Sequence, residues 1–374
     1  MNIVIAIDSF KGSISALSAA QSVAKGIKKV SPDAITHLFP VADGGEGTTD
    51  AVLSAAGGEK IKETVFNPLF EKREAEYAIL SDGSAVIETA AASGLTLIEK
   101  EKRNPMISSS YGTGELIMSA LKKGVKRIIF GLGGSATNDG GIGLGAALGI
   151  KFYDKNGNEL KPVAKELINI AKIDVSGLTP LINDVKFDIA CDVTNPLCGK
   201  NGASHIFGPQ KGAKPEDVLA LDEGLANFAK VLREACGKDF TDYPGAGAAG
   251  GISVLLLAFA KTEIHSGIEL ILNASGIDEK LKTCDLVITG EGRVDMQTAF
   301  GKVPAGVAKH AKAFNKPVIA LTGSIGKGYE SVYECGIDAV FSVQPGPMSL
   351  ETSLEDADNL LCDTAERVFR LFLL

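Results

Sequence analysis

Short continuous apolar runs alternate with amphipathic stretches at both ends of this chain. "NIVIAI" is uninterrupted, and "ISALSAAQSVAKGIKKV" places Ile14, Leu17, Ala20, Ala24 and Ile27 at helical spacing. "ITHLFPVA" is a second strand, and "TTDAVLSAAGG" is a short helix stopped by Gly57 and Gly58. Such a βαβα opening predicts a parallel sheet with helices on its faces. The end of the chain repeats the pattern: "CDLVITG", "PVIALTG" and "IDAVFSV" read as strands, Pro304 opens a helix, and "SLEDADNLLCDTAERVFRLFLL" closes the chain as another.

The middle has a different grammar. Between Glu59 and Ala90 the chain reads as three or four short strands joined at Asn67-Pro68 and at the Asp82-Gly83 hairpin signal. The fold class expected is therefore α/β with two domains. A discontinuous Rossmann-like parallel-sheet domain (1–60 and 263–374) carries an inserted mixed α/β domain (61–262).

Composition narrows the function classes. The net charge is −8, and no Lys/Arg run is long enough to track a phosphate backbone, so no nucleic acid is expected as partner. No apolar run of about 18 residues could span a bilayer, so no membrane is expected either. "MNIVIAIDSFKGS" lacks a basic segment before its apolar run, which points to a first buried strand and a soluble cytoplasmic protein rather than a signal peptide. The six cysteines are widely spaced with no C-x-x-C, as expected of reduced thiols rather than a disulfide frame or zinc site.

Four apolar strands end in an acid, and each acid opens a loop rich in Gly, Lys, Ser or Asn. These are Asp8 in "DSFKGS", Asp43 in "DGGEGT", Asp192 in "DVTNPLCGKNGA" and Glu291 in "EGRVDMQTAFGK". Ligands of open α/β sheets bind beyond the carboxyl ends of the strands, so the acids are expected to converge. The same loops carry Lys11, Lys211, Arg293 and Lys302. Carboxylates for a hard cation, cations for phosphate and carboxylate, and glycines that free backbone N–H groups together suit phosphoryl transfer from a Mg-bound nucleotide to an anionic acceptor.

"GLGGSATNDGG" (131–141) invites another reading, because its first six residues spell G-x-G-x-x-A and Asp154 follows at the distance of a ribose-binding acid. Against an NAD-dependent dehydrogenase, Gly140, Gly141, Gly143 and Gly145 crowd the stretch where the dinucleotide helix should already run. Asp154 then reads as a turn residue before Asn156-Gly157. A non-catalytic binder of organic acids is a third possibility, which would need the cations but not the strand-end acids. "GSIGKG" lacks the spacing of a P-loop, and there is no H-E-x-x-H or G-x-S-x-G. "GAGAAGG" (245–251) suits either a tight backbone approach or phosphate contact.

Taken in order, "DSFKGS", "PVADGGEGT", "YGTGELI", "GLGGSATNDGG", "CDVTNPLCG", "GPQKGA", "PGAGAAGG" and "ITGEGRVDMQTAFGK" resemble the bacterial type I glycerate kinase family from Asp8 to Lys302. Met296 and Ala299 depart from the family pattern without removing a charge. The resemblance implies Mg2+- and ATP-dependent phosphorylation of D-glycerate in a two-domain α/β fold with the active site in the interdomain cleft, with 2-phosphoglycerate favoured, and leaves a homo-oligomer open. Matching positions supply the candidate site. Asp192, Asp295 and Lys11 are the catalytic candidates, with Asp192 or Asp295 taking the hydroxyl proton. Asp8, Ser9, Lys11, Arg293 and Gln297 would bind the acid, Lys11 and Arg293 through its carboxylate. Gly133, Gly134, Ser135, Thr137, Asn138, Lys211 and Lys302 would bind the nucleotide phosphates. Asp43 and Glu291 would hold Mg2+.

Overall fold

A computed structural model describes residues 1–42, 44–45 and 47–374. In chain order its strands are β1 (Asn2–Ile7), β2 (Ile35–Pro40), β3 (Gly58–Phe66), β4 (Lys72–Leu80), β5 (Ala85–Glu88), β6 (Arg127–Gly131), β7 (Lys151–Tyr153), β8 (Lys172–Asp174), β9 (Lys186–Ala190), β10 (Lys261–His265), β11 (Leu286–Val294), β12 (Val318–Ile325) and β13 (Ala339–Ser342). The chain divides into two compact units: Met1–Asp43 with Asp50–Gly57 and Ile268–Leu374, and Gly44–Thr49 with Gly58–Gly267. The division falls at 57/58 and 267/268 rather than 60/61 and 262/263, and the short stretch 44–49 belongs to the second unit.

The first unit holds a five-stranded sheet in the order β13-β12-β11-β1-β2, parallel throughout. The chain leaves β1 towards β2 on one side, and β11 to β13 are added on the other. The topological switch point therefore lies between β1 and β11, the place where such sheets bind ligands. The five predicted terminal strands are these five. Helix Ala16–Val30 starts at Ser15, whose side chain accepts a hydrogen bond from the Ser18 amide. Its buried face is Ala19, Ala20, Val23, Ala24 and Ile27, whereas Leu17, expected on that face, is exposed. The small residues bring it close to the closing helix Ala357–Phe372: a Cβ on Gly26 would lie 2.1 Å from the Cys362 carbonyl oxygen. Ser22 donates to Asp358 at 2.9 Å along the same contact.

The second unit holds a six-stranded mixed sheet, β10-β9-β6-β5-β4-β3, and a two-stranded one, β7-β8. β3, β4 and β5 are antiparallel neighbours, as the turn signals at Asn67 and Asp82 predict, while β5, β6, β9 and β10 run parallel. Asp82 makes the hairpin by accepting from the Ser84 amide at 2.9 Å. Two apolar cores fill this unit. One joins the sheet to helix Tyr111–Lys122 through Phe130, Phe187, Leu116 and Leu121, and the other surrounds Phe228 of helix Pro215–Cys236.

No described helix is long and apolar enough to cross a membrane. All six cysteines are free. Gly26→Val should destabilise the protein by about 1–3 kcal/mol through overpacking against the closing helix, read from the midpoint of a urea transition.

Candidate active site

Beyond the switch point, the first unit opens a pocket of about 420 Å³. The loop after β1 supplies Asp8, Ser9 and Lys11, and the last residues of β11 supply Glu291 and Arg293. Lys302, just before helix Val303–Ala313, completes the charged end. Two acids and three cations thus line one cavity. Of the acid-binding candidates, Asp8, Ser9, Lys11 and Arg293 are brought together here, while Gln297 is exposed and not among the pocket residues.

Asp8 is nearly buried, and its Oδ1 accepts from the Ser9 amide at 2.6 Å and the Ser9 hydroxyl at 3.2 Å. Glu291 is 7% exposed; its Oε1 accepts from Thr298 Oγ1 at 2.5 Å, and Lys302 Nζ stands 3.7 Å from Oε2. Burial pushes the Glu291 carboxyl above its ordinary value, with Thr298 and Lys302 opposing. Arg293 is held from the side, its Nε 3.2 Å from Asp295 Oδ2. Asp295 is committed further, because Oδ1 accepts from the Gln297 amide and caps the short turn Met296–Phe300. Asp43, expected to bind metal, and Glu46 beside it lie outside the described residues.

The second unit carries the glycine-rich loops at the carboxyl ends of β6 and β9, where several of the expected site residues are buried. Thr137 and Asn138 are fully buried and Lys211 is 2% exposed. Lys211 Nζ donates to the Thr137 carbonyl at 2.7 Å, and Asn138 Nδ2 donates to Ser204 Oγ at 3.0 Å. Lys211 and the Asn138 amide nitrogen are thus bonded within the unit, while the buried Thr137 hydroxyl has no hydrogen-bond partner among the described residues. Beneath them lies Asp139, fully buried, accepting from the Ser110 amide and hydroxyl at 2.8 Å each and from the Gly141 and Gly143 amides at 3.2 and 3.3 Å. One carboxylate thus serves the starts of two helices, Tyr111–Lys122 and Ile142–Ala147. Burial pushes Asp139 up, against those donors, and pushes Lys211 down to about 7, with Asp139 opposing.

The glycines of "GLGGSATNDGG" act mainly in close backbone approach. A Cβ on Gly131 would lie 2.6 Å from Gly44 O, and one on Gly133 2.4 Å from the Gly45 Cα. The Gly133 amide donates to Gly44 O and the Ala136 amide to Ser93 O. Gly134 is the exposed residue of the loop, beside a Ser135 that is 7% exposed. Helix Ile142–Ala147 begins only after Gly140 and Gly141, both at positive φ, too late for a dinucleotide fold. Asp154 accepts from the amides of Asn156 and Asn158 as an exposed turn residue. "GAGAAGG" packs under the loop: the Gly140 amide donates to Gly250 O, and a Cβ on Gly250 would lie 2.2 Å from Thr137 O.

Asp192 is exposed, and its Oδ1 accepts from Ser266 Oγ at 2.9 Å and the Gly267 amide at 2.8 Å, capping helix Gly267–Ser275. Sequence reasoning missed Glu88. It ends β5 beside Gly131, is 8% exposed, and accepts from the Thr49 amide at 2.6 Å and the Gly47 amide at 3.3 Å. "AVIE" is a fifth apolar strand ending in an acid, but the residues after it, "TAAAS", form a helix rather than a glycine loop. A separate group, Asp188, Glu263 and His265, is close enough to chelate a metal, but Arg127 and Lys186 already bind Asp188 at 2.6 and 3.1 Å. It is a closed ion-pair network.

A switch-point pocket lined by cations and carboxylates at the edge of a parallel sheet suits a small anionic ligand. The chain belongs to the glycerate kinase family, whose model matches residues 3–373. It is 49% identical to a glycerate kinase of Halalkalibacterium halodurans over 98% of this chain and 97% of the relative. It is 48% identical to the glycerate 2-kinase of Escherichia coli K12 over the same shares. A solved structure assigned as glycerate kinase 2 from Salmonella typhimurium LT2 superposes with a TM-score of 0.88 at 44% identity, covering 100% of this chain and 98% of that one.

Two stability measurements check the supporting roles. Lys211 holds a proton only below about 7 in the folded protein but up to its ordinary 10.5 when unfolded. In that window the unfolded chain binds more protons, so stability should rise with pH. Urea titrations should show this rise in the wild type, and Lys211→Met should lack it. Glu88→Ala should cost about 1–3 kcal/mol, because it strands two amides, and Glu88→Gln should cost less in the same measurement.

Proposed function

We infer that this protein transfers the γ-phosphoryl group of ATP to a hydroxyl of D-glycerate, with Mg2+, giving 2-phosphoglycerate. The observation that carries this reading is the gathering of Lys11, Arg293 and Lys302 with Asp8 and Glu291 in one pocket. The product assignment leans on the name of the Escherichia coli relative, a glycerate 2-kinase. A metabolic kinase with no described membrane-spanning helix fits the cytoplasm.

Lys11 and Arg293 clamp the carboxylate of the acid, which orients one hydroxyl for attack. Asp295 acts through Arg293 and is a positioning residue. Among the acids, Glu291 fits the proton acceptor better than Asp192 or Asp295. It lines the pocket, and burial moves its carboxyl toward the pH at which a general base works best. Asp192 and Asp295 each commit an oxygen to a helix or turn start. The hydroxyl oxygen bonds to the γ-phosphorus, the bond to the bridging oxygen breaks, ADP leaves, and Glu291 takes the proton. Lys302 faces the phosphate. Carboxylate oxygens suit Mg2+, for which Asp8 and Asp43 are the candidate ligands. When bound, the ion neutralises charge on the phosphoryl group.

Purified protein should form ADP from ATP and Mg2+ only when D-glycerate is present, and phosphorus NMR should show the 2-phosphate. Glu291→Gln should lower kcat by about 10²–10⁴-fold with little change in glycerate KM. A base must be ionised, so wild-type kcat should fall as pH drops through the raised carboxyl value, and the variant should lose that limb. Asp295→Asn should instead raise glycerate KM. Near-wild-type kcat in Glu291→Gln would overturn the assignment of the base.

A further inference from the structure

The pocket is larger than its charged end needs. Its volume, about 420 Å³, is that of a site for a drug-sized ligand, roughly 300–1,000 Å³, whereas glycerate is a three-carbon acid. The lining is also segregated by element. Every ionisable group comes from the loop after β1, from β11 and from Lys302; a second, uncharged part of the lining comes from the end of β13 and the two helices that follow. That wall is Val343, Gln344, Leu350, Leu354 and Ala357, and it carries no charge.

We propose that this uncharged wall is the nucleoside site, where adenine and ribose of ATP lie across Val343, Leu350, Leu354 and Ala357 while the triphosphate runs back to Lys302. The proposal rests on the kinase reading above and adds where the nucleotide is held. Leu350 is 73% exposed at the rim, an apolar side chain that a flat ring would cover. Gln344 brings an amide to the same wall, and its Nε2 donates to Ser353 Oγ at 3.2 Å, which fixes it for hydrogen bonding to a base edge. The wall is also tied to the charged loop, because Ser13 Oγ donates to the Leu354 carbonyl at 2.5 Å. Val343 O in turn accepts from Thr364 Oγ1 of the closing helix. Charged end and apolar wall are therefore parts of one preformed cavity, matching the polarity of a nucleoside triphosphate from end to end.

Photolabelling of the full chain with 8-azido-ATP should mark peptides within 343–357, and excess ATP should protect them. Leu350→Glu, at an exposed position that tolerates charge in the fold, and Ala357→Leu, which fills the wall, should each weaken ADP binding by tenfold or more in calorimetry. Glycerate KM should stay within twofold in both. Labelling elsewhere, or unchanged ADP affinity in both variants, would overturn the nucleoside site while glycerate-dependent ADP formation still upheld the kinase reading. A rise in glycerate KM with ADP affinity intact would also overturn it, by giving the wall to the acid. Loss of glycerate-dependent ADP formation in the wild type alone would remove the kinase reading itself.

Discussion

Parallel strands deliver their carboxyl ends to one edge of a sheet, and that constraint organises each unit of this protein. In the first unit the edge gathers Asp8, Glu291, Arg293 and the wall after β13 around one cavity. In the second it gathers Glu88, the loop after Gly131 and Asp192. A backbone that emerges from parallel strands must turn at once into a helix or a loop, and its freed amides need acceptors. Asp139, Glu88, Asp192 and Asp295 meet that need with carboxylates. The charges that make the chain look catalytic are thus divided between those that hold turns and those that face a ligand.

Burial decides which is which. Asp139 and Lys211 are interior groups whose ordinary charge the surroundings disfavour, and they shape the loop that separates them from solvent. Glu291 is nearly as enclosed, yet it lies on a cavity wall, so its perturbed carboxyl is available to a substrate. Similar chemistry on paper becomes interior support in one place and cavity lining in the other.

Much of this was legible in the chain. The terminal strands, the antiparallel middle and the turn at Asp82 follow from apolar runs and turn residues, and Asp8 and Glu291 announce themselves as acids ending such runs. Depth was not legible. Thr137, Asn138 and Lys211 sit in glycine-rich motifs like those that bind phosphate, and only the packing of Gly250 and Ser204 against this loop reveals how deeply they are buried. Leu17 fits the helical period but misses the buried face, because close approach to the closing helix selects the small residues instead. Glu88 escaped notice because the helix after it lacks the glycines that marked the other strand ends.

The enclosure of Lys211 has a chemical consequence. An amine whose uncharged form is already well populated near neutrality is a strong nucleophile, yet at 2% exposure it is shielded from reagents in water. Its modification by an amine-reactive reagent therefore requires the loop over it to open. The rate at which this one lysine is acylated reads out the breathing of the second unit's loops, with no added label, while the exposed lysines serve as the internal clock.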